Sequence, residues 1–460
     1  MLALAMIAAT TLATSPRAFV EHPCTSPEQI SVARCGTVEV PENRRVVGGR
    51  KIRLNVVILP AVSDKKLPPL FDIEGGPGNA STGGVIFYAK DGIDYRRHRD
   101  VVLVDQRGTG QSNLLDCPEL SAIEAALQPM LPNDAVDRCR TELAKRADLR
   151  FYGTSEAVAD LDDVRVALGY KQIDLTGISY GTTFVLRYIA AHPEQVRSAV
   201  LVAPVPADAR PPRDHATLAQ RQRKRIAEQC TADPACHGAF DVERDFKLAL
   251  ARLPSIGGAP TGEVFVEMLR KAMYRPDLAR RIPLILHHAA KGDLSPFRAI
   301  AKSTPRAGHG DGSYLSITCS ESMALMDVAA ARATSRATQF GDYRLRRQQA
   351  ACQRWPAGRV APRYLDPVRA AVPILMFAGT DDPVASIDWA KRLERELPKG
   401  RLLAVPGGGH GLDGLNGLPE CYDAIALRFF EVPDVGKIDA SCLARLAPPP
   451  FAIDSSANHP

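Results

Sequence analysis

Short, almost continuous apolar runs punctuate the first two hundred residues and return near residue 373. Residues 54–60, 70–73, 100–104, 173–176, 199–202, 373–378 and 401–405 are rich in Val, Ile and Leu. Runs of this length and composition predict strands buried on both faces of a parallel sheet. Between them the period lengthens. Residues 155–168 carry apolar Val158, Leu161, Val164 and Leu168 at helical spacing, with Gly169 just past the end as a stop signal. Residues 183–191 and 389–397 read as further helices. Strands alternating with helices predict an α/β chain, a mostly parallel sheet with helices on both faces.

The alternation breaks between residues 206 and 366. That stretch opens Pro-rich and charged, then continues as amphipathic helical segments such as 216–229 and 262–273. A helical insertion of this size between two core strands predicts a cap, or lid, over the C-terminal edge of the sheet. The expected organisation is a core in two parts, 19–205 and 367–447, a cap over 206–366, and a flexible tail over 448–460. The basic run at 221–225 is expected to be a solvated helix face.

Residues 1–18 hold a short apolar run followed by small residues, which predicts a signal peptide cleaved near Ala18. No Lys or Arg follows Met1 directly, and a buried N-terminal helix is the competing reading. The ten cysteines fall as Cys24/Cys35, Cys117/Cys139, Cys230/Cys236, Cys319/Cys352 and Cys421/Cys442, with no C-x-x-C among them. Cys230, Cys236 and His237 have no second ligand pair to complete a metal site. An even count behind an export signal predicts disulfides and a secreted or periplasmic protein, with sequential pairing as the simplest arrangement.

The net charge of +6 is spread along 460 residues without a basic patch, which argues against nucleic acid as a partner. No apolar run reaches the ~18 residues that would cross a membrane. Neither a metal cluster, a Walker loop nor a dinucleotide fingerprint is present, so no cofactor is expected. Nothing in the chain fixes an oligomeric state.

The chemistry gathers at the strand ends. Gly177-Ile178-Ser179-Tyr180-Gly181 fits G-x-S-x-G between a predicted strand and a predicted helix, the setting of a nucleophile elbow. A serine hydroxyl is a poor nucleophile and needs a base, which in turn needs an orienting group. In this arrangement the order is Ser, then Asp or Glu, then His. The strand at 373–378 runs into Gly379-Thr380-Asp381-Asp382-Pro383-Val384, and the strand at 401–405 into Gly407-Gly408-Gly409-His410-Gly411. His410 is the candidate base; Asp381 and Asp382 compete to orient it. The paired His287-His288 lies in the insertion and reads as structural. For the oxyanion, the backbone N–H of Tyr180 and that of Gly76, within Glu74-Gly75-Gly76-Pro77-Gly78, are the candidate donors.

In sequence order, G-G-P-G, D-Q-R-G-T-G-x-S at 105–112, G-x-S-x-G, G-x-x-D-P-V and G-x-G-H-G resemble the α/β-hydrolase family of prolyl aminopeptidases and secreted tripeptidyl aminopeptidases. The resemblance implies an α/β-hydrolase fold with a large helical cap, and Asp382, the Asp before Pro-Val, as the partner of His410. It also implies that Arg107 is structural. Thr318-Cys319-Ser320-Glu321 and Cys352-Gln353-Arg354-Trp355 resemble motifs of the disulfide-bonded branch. An acidic residue on the cap side of that family binds the substrate's free amine, which points to Glu321, with Glu74 as a second candidate. Glu74 stands where prolyl aminopeptidases usually carry His, so proline specificity is not implied.

The expected activity is therefore a secreted serine exopeptidase acting near the free N-terminus of peptides through a Ser-His-Asp acyl-enzyme. An esterase or other small-molecule acyl hydrolase on the same machinery is the alternative. A non-catalytic carrier is disfavoured because all three triad members are present. An epoxide hydrolase or dehalogenase is disfavoured because Ser179 occupies the nucleophile position.

Overall fold

In a computed structural model, which describes residues 18–25, 32–64, 67–301, 308–360 and 362–454, the apolar runs pair into one nine-stranded sheet. The leader expected over 1–18 lies, apart from Ala18, outside the described residues. The strands are β1 (Phe19–His22), β2 (Arg34–Pro41), β3 (Lys51–Leu59), β4 (Leu70–Ile73), β5 (Val101–Val104), β6 (Ile173–Ile178), β7 (Val196–Val202), β8 (Ile374–Gly379) and β9 (Gly400–Val405). They lie in the order β1-β2-β3-β5-β4-β6-β7-β8-β9. The first three meet their neighbours antiparallel, and β5-β4-β6-β7-β8-β9 run parallel.

Every residue of β5 and β8 is buried, as a strand covered by helices on both faces must be. Strands β1 and β2 precede the first predicted strand and were not among the expectations. β2 carries the signal in Val38 and Val40, two buried positions flanking exposed Glu39, the alternation of a strand with one wet face.

Helices close the sheet's two faces. On one, Val158, Leu161 and Val164 of α1 (Thr154–Ala167) and Phe184 of α2 (Tyr180–Ala191) pack on Phe71, Leu175 and Met376. On the other, Phe429 and Phe430 pack on Leu70, Leu103 and Phe377.

Between β7 and β8 the chain leaves the sheet. It forms α3 (His215–Ala232), α4 (Val242–Arg252), α5 (Gly262–Ala272), α6 (Ile282–Lys291), α7 (Asp311–Ile317) and α8 (Tyr343–Cys352), with further helices between them, Ser295–Ala301 and Val328–Arg336 among these. These helices have a core of their own, in which Phe246, Phe265, Leu286 and Phe297 are buried. Local chemistry sets their ends: the Thr261 hydroxyl caps α5 by accepting from Val264 N–H, and Gly292 at φ +95° closes α6 in the left-handed region. After β8 come α9 (Ile387–Glu396) and α10 (Leu418–Glu431).

Two expectations are corrected. The tail from Pro448 does not fray over its described part: Phe451 and Ala452 are buried in the helical core, the Arg280 guanidinium lies 4.1 Å from the centre of the Phe451 ring, and Ala452 N–H bonds Arg280 O. An aromatic side chain removes more apolar surface from water than the Pro- and Ser-containing composition of the tail suggests. The run at 221–225 is no simple solvated face either. Arg223 is buried over the Phe246 ring and paired with Glu243, while Arg225 pairs with Asp381 of the core.

All ten cysteines are joined in sequential pairs. Among the described residues no helix is long and apolar enough to cross a membrane.

Candidate active site

Strand β6 delivers Ser179 into a sharp turn. Its φ of +56° and ψ of −122° lie where a side chain is strained, and helix α2 begins at the next residue. The strain persists because the turn is held from several sides: Ser179 N–H bonds Val202 O, and Ser179 O accepts from the backbone and the hydroxyl of Thr182.

The flanking glycines serve a close approach. A Cβ on Gly181 would stand 2.2 Å from Ile73 O, and one on Gly177 2.8 Å from Gly181 O. Gly181→Ala must therefore push the start of α2 away from β4. The expected result is a loss of about 3 kcal/mol or more of stability, read as a lowered urea midpoint, together with loss of hydrolysis.

The structure brings Ser179, His410 and Asp382 together. His410 Nε2 lies 2.8 Å from Ser179 Oγ, and His410 Nδ1 lies 2.8 Å from Asp382 Oδ2. The other carboxylate oxygen of Asp382 accepts from Val384 N–H at 2.7 Å and Ala385 N–H at 2.9 Å, so the acid is fixed as well as the ring. Asp381 turns the other way. Its Oδ1 lies 3.0 Å from Arg225 Nη1 of the helical segment, and Thr380 Oγ1 donates to it. Between neighbours that sequence logic alone left open, Asp382 meets the imidazole and Asp381 meets α3.

The loop after β4 abuts Ser179. A Cβ on Gly75 would fall 2.6 Å from Ile178 O and 3.1 Å from Ser179 Cβ. The next residue, Gly76, is exposed at φ +111°, and among the described residues its N–H has no protein acceptor. The N–H of Tyr180 belongs to the first turn of α2, where no intrahelical acceptor exists. Both donors are thus open beside Ser179.

The two candidate amine-binding carboxylates differ in setting. Glu321 is buried and accepts from Thr154 N–H at 2.6 Å, Thr154 Oγ1 at 2.6 Å and Tyr364 OH at 2.5 Å. Burial pushes its carboxyl above the ordinary range while those hydrogen bonds pull it back. Thr154 Oγ1 also lies 2.7 Å from Tyr180 OH, so Glu321 reaches the nucleophile's neighbour through one hydroxyl. Glu74 is half-buried at the foot of the oxyanion loop, its carboxylate accepting from Gly75 N–H at 3.2 Å, and no cation is paired with it among the described residues. Asp72 beneath it is pushed up to about 7, first by burial and then by the Glu74 charge.

Arg107 is buried and spends its guanidinium on Asp160 and on the carbonyls of Pro41, Glu42 and Phe151, a structural role. His287 pairs with Asp245 inside the helical segment.

Several residues at the site carried no signal in the sequence. Tyr274 O accepts His410 N–H at 2.7 Å, and its ring meets the imidazole edge-on with centres 5.0 Å apart. On the oxyanion side Gly310 N–H bonds Gly78 O at 2.8 Å, and His309 Nδ1 lies 3.1 Å from Asn79 Oδ1. These contacts join stretches more than a hundred residues apart, and no local pattern encodes them. Among the described residues no group of three or more His, Cys, Asp or Glu is placed to hold a metal ion.

Comparison with known proteins agrees with this architecture. Residues 68–254 match the model of the alpha/beta hydrolase fold, and residues 336–442 that of the TAP-like proteins. The chain is an enzyme of the α/β-hydrolase class. Within it, the chain fits the family of prolyl and tripeptidyl aminopeptidases. It is 22% identical to a tripeptidyl aminopeptidase of Streptomyces lividans over 438 residues, covering 83% of this chain and 79% of that one. It is 31% identical to a proline iminopeptidase of Xylella fastidiosa over 133 residues, 29% of this chain and 31% of that one.

Proposed function

We propose that this protein is a secreted serine exopeptidase that cleaves an amide bond near the free N-terminus of a peptide. The observation that carries the reading is the unbroken hydrogen-bonded series from Ser179 Oγ through the His410 ring to Asp382, 2.8 Å at each step. As Oγ attacks the scissile carbonyl, His410 Nε2 takes its proton and Asp382 stabilises the imidazolium that forms. The N–H groups of Tyr180 and Gly76 receive the oxyanion. His410 then protonates the departing amine, and water releases the acyl group by the same steps in reverse roles.

An exopeptidase must also recognise a terminal ammonium, which a carboxylate in a partly desolvated site binds strongly. Glu74 offers a carboxylate without a cationic partner beside the oxyanion loop. Glu321 keeps one acceptor position beyond its three protein donors. The segment 206–366 acts as the lid that limits access to extended, unblocked chain ends. It touches His410 at Tyr274, Asp381 beside the triad at Arg225, and the oxyanion loop at Gly310. Five disulfides suit an oxidising compartment and support export.

The test compares tripeptidyl anilides with free and acetylated N-termini. The free amine is expected to be preferred by at least about tenfold in kcat/KM, the value of one charge-assisted hydrogen bond. Equal or faster turnover of the acetylated substrate rejects exopeptidase action. Glu74→Gln and Glu321→Gln then locate the ammonium: the residue that binds it loses free-amine substrates selectively and keeps p-nitrophenyl ester turnover.

A further inference from the structure

The helical segment presents a wall of charge to His410. Arg270 Nη1 donates to the hydroxyl of Tyr274, the residue whose ring meets the imidazole. Its Nε and Nη2 both bond Glu267, and Arg344 reaches the same carboxylate through Nε at 2.8 Å and Nη2 at 2.6 Å. One carboxylate therefore serves two guanidiniums, which cannot deprotonate. The neighbouring Lys271 pairs with Glu124, so the two guanidiniums share Glu267 as their ion-pair partner among the described residues.

Arg344 Nη1 is the donor left over. The acceptor nearest it is Tyr314 OH at 3.5 Å, beyond an ordinary N–H···O bond, and that hydroxyl already receives Gln348 Nε2. A second observation falls on the same place. His215, at the start of α3, is 93% buried, being 7% exposed, and neither ring nitrogen has a hydrogen-bond partner. Burial, and then the guanidinium charges of Arg270 and Arg344, push its imidazole well below the ordinary range. A buried imidazole without partners is costly, as is a guanidinium N–H without a close acceptor, and one ligand would satisfy both.

We propose that Arg344 and His215, backed by Arg270, form a carboxylate-binding subsite on the lid wall beside His410. The substrates this enzyme prefers are then short peptides that carry a carboxylate close to the scissile bond. This rests on the exopeptidase reading and deepens it: an acidic group at Glu74 or Glu321 takes the ammonium end, and the basic wall takes the anionic end. The carboxylate has two sources, the C-terminus of a short peptide or an Asp or Glu side chain.

Wild-type enzyme is given three matched pairs: a free-amine tetrapeptide as its C-terminal acid and its C-terminal amide; tripeptidyl anilides ending in Glu and in Gln; and p-nitrophenyl hemisuccinate with p-nitrophenyl butyrate. The acid is expected to be favoured by about tenfold or more in kcat/KM, chiefly through KM, in the first pair for a C-terminal source or the second for a side chain. Arg344→Gln narrows that ratio. His215→Leu narrows it too, and serves if the arginine variant does not fold. Parity in both peptide pairs overturns the subsite. If no peptide is cleaved, the exopeptidase reading fails separately, and the ester pair decides: preference for the hemisuccinate retains the subsite, and parity removes it.

Discussion

Ser179→Ala is expected to lower kcat for any acyl substrate by about 10⁵–10⁶-fold while the protein stays folded. The size follows from what is removed. Without Oγ no acyl-enzyme forms, His410 has no proton to take, and only the oxyanion donors and bound geometry remain. The fold survives because Ala keeps the Cβ and the turn keeps its ties to Val202 O and Thr182. Ser179→Gly makes a sharper comparison. It is equally inactive, yet it relieves a backbone held at φ +56°, ψ −122°. That relief is worth about 1–3 kcal/mol against the ~0.5–1 kcal/mol that glycine loses in chain entropy. The glycine variant should therefore unfold at equal or higher urea than the alanine variant. Residual turnover within tenfold of wild type in either would assign the nucleophile elsewhere.

Much of the core was legible because each of its parts is local. The parallel strands announce themselves as largely apolar runs, since both faces are buried: β8 reads Ile-Leu-Met-Phe-Ala-Gly and is buried throughout. The loops that hold Ser179, Asp382 and His410 follow directly from strand ends, so motif and position coincide. Strand β2 escaped because it has one wet face, and Thr37-Val38-Glu39-Val40 is too short an alternation to stand out beside the charged hairpin that follows.

The helical segment between β7 and β8 was legible only as composition. Which of its side chains meets the core depends on how its helices stack, and that is decided by buried surfaces far apart in the chain. Tyr274 looks like any helix-end tyrosine, and Arg225 like one of several surface cations. Phe451 stands in a Pro-rich tail whose composition suggests fraying, yet the tail docks because an aromatic ring finds Arg280 and the helical core.

Asp382→Asn is expected to cost about 10⁴ in kcat, and Asp381→Asn no more than a few-fold. The two residues are adjacent, equally buried at 7% exposure, and on one loop, so composition and burial predict the same cost for both. Direction separates them. Asp382 Oδ2 meets His410 Nδ1, which fixes the tautomer whose Nε2 faces Ser179 Oγ as an acceptor. An amide there can turn its NH2 toward the ring, favour the opposite tautomer, and leave Nε2 protonated and unable to take the serine proton. Its other oxygen would still accept from Val384 and Ala385, so the loop stays in place and the loss falls on kcat rather than on stability. Asp381 instead neutralises Arg225 of α3, whose side chain is 45% exposed, and a half-exposed ion pair contributes about 1 kcal/mol or less. Its loss loosens α3 against the loop and should appear in KM, with kcat near wild type. Equal losses in kcat from the two variants would mean that the loop's integrity, and not one carboxylate's hold on the imidazole, limits the reaction.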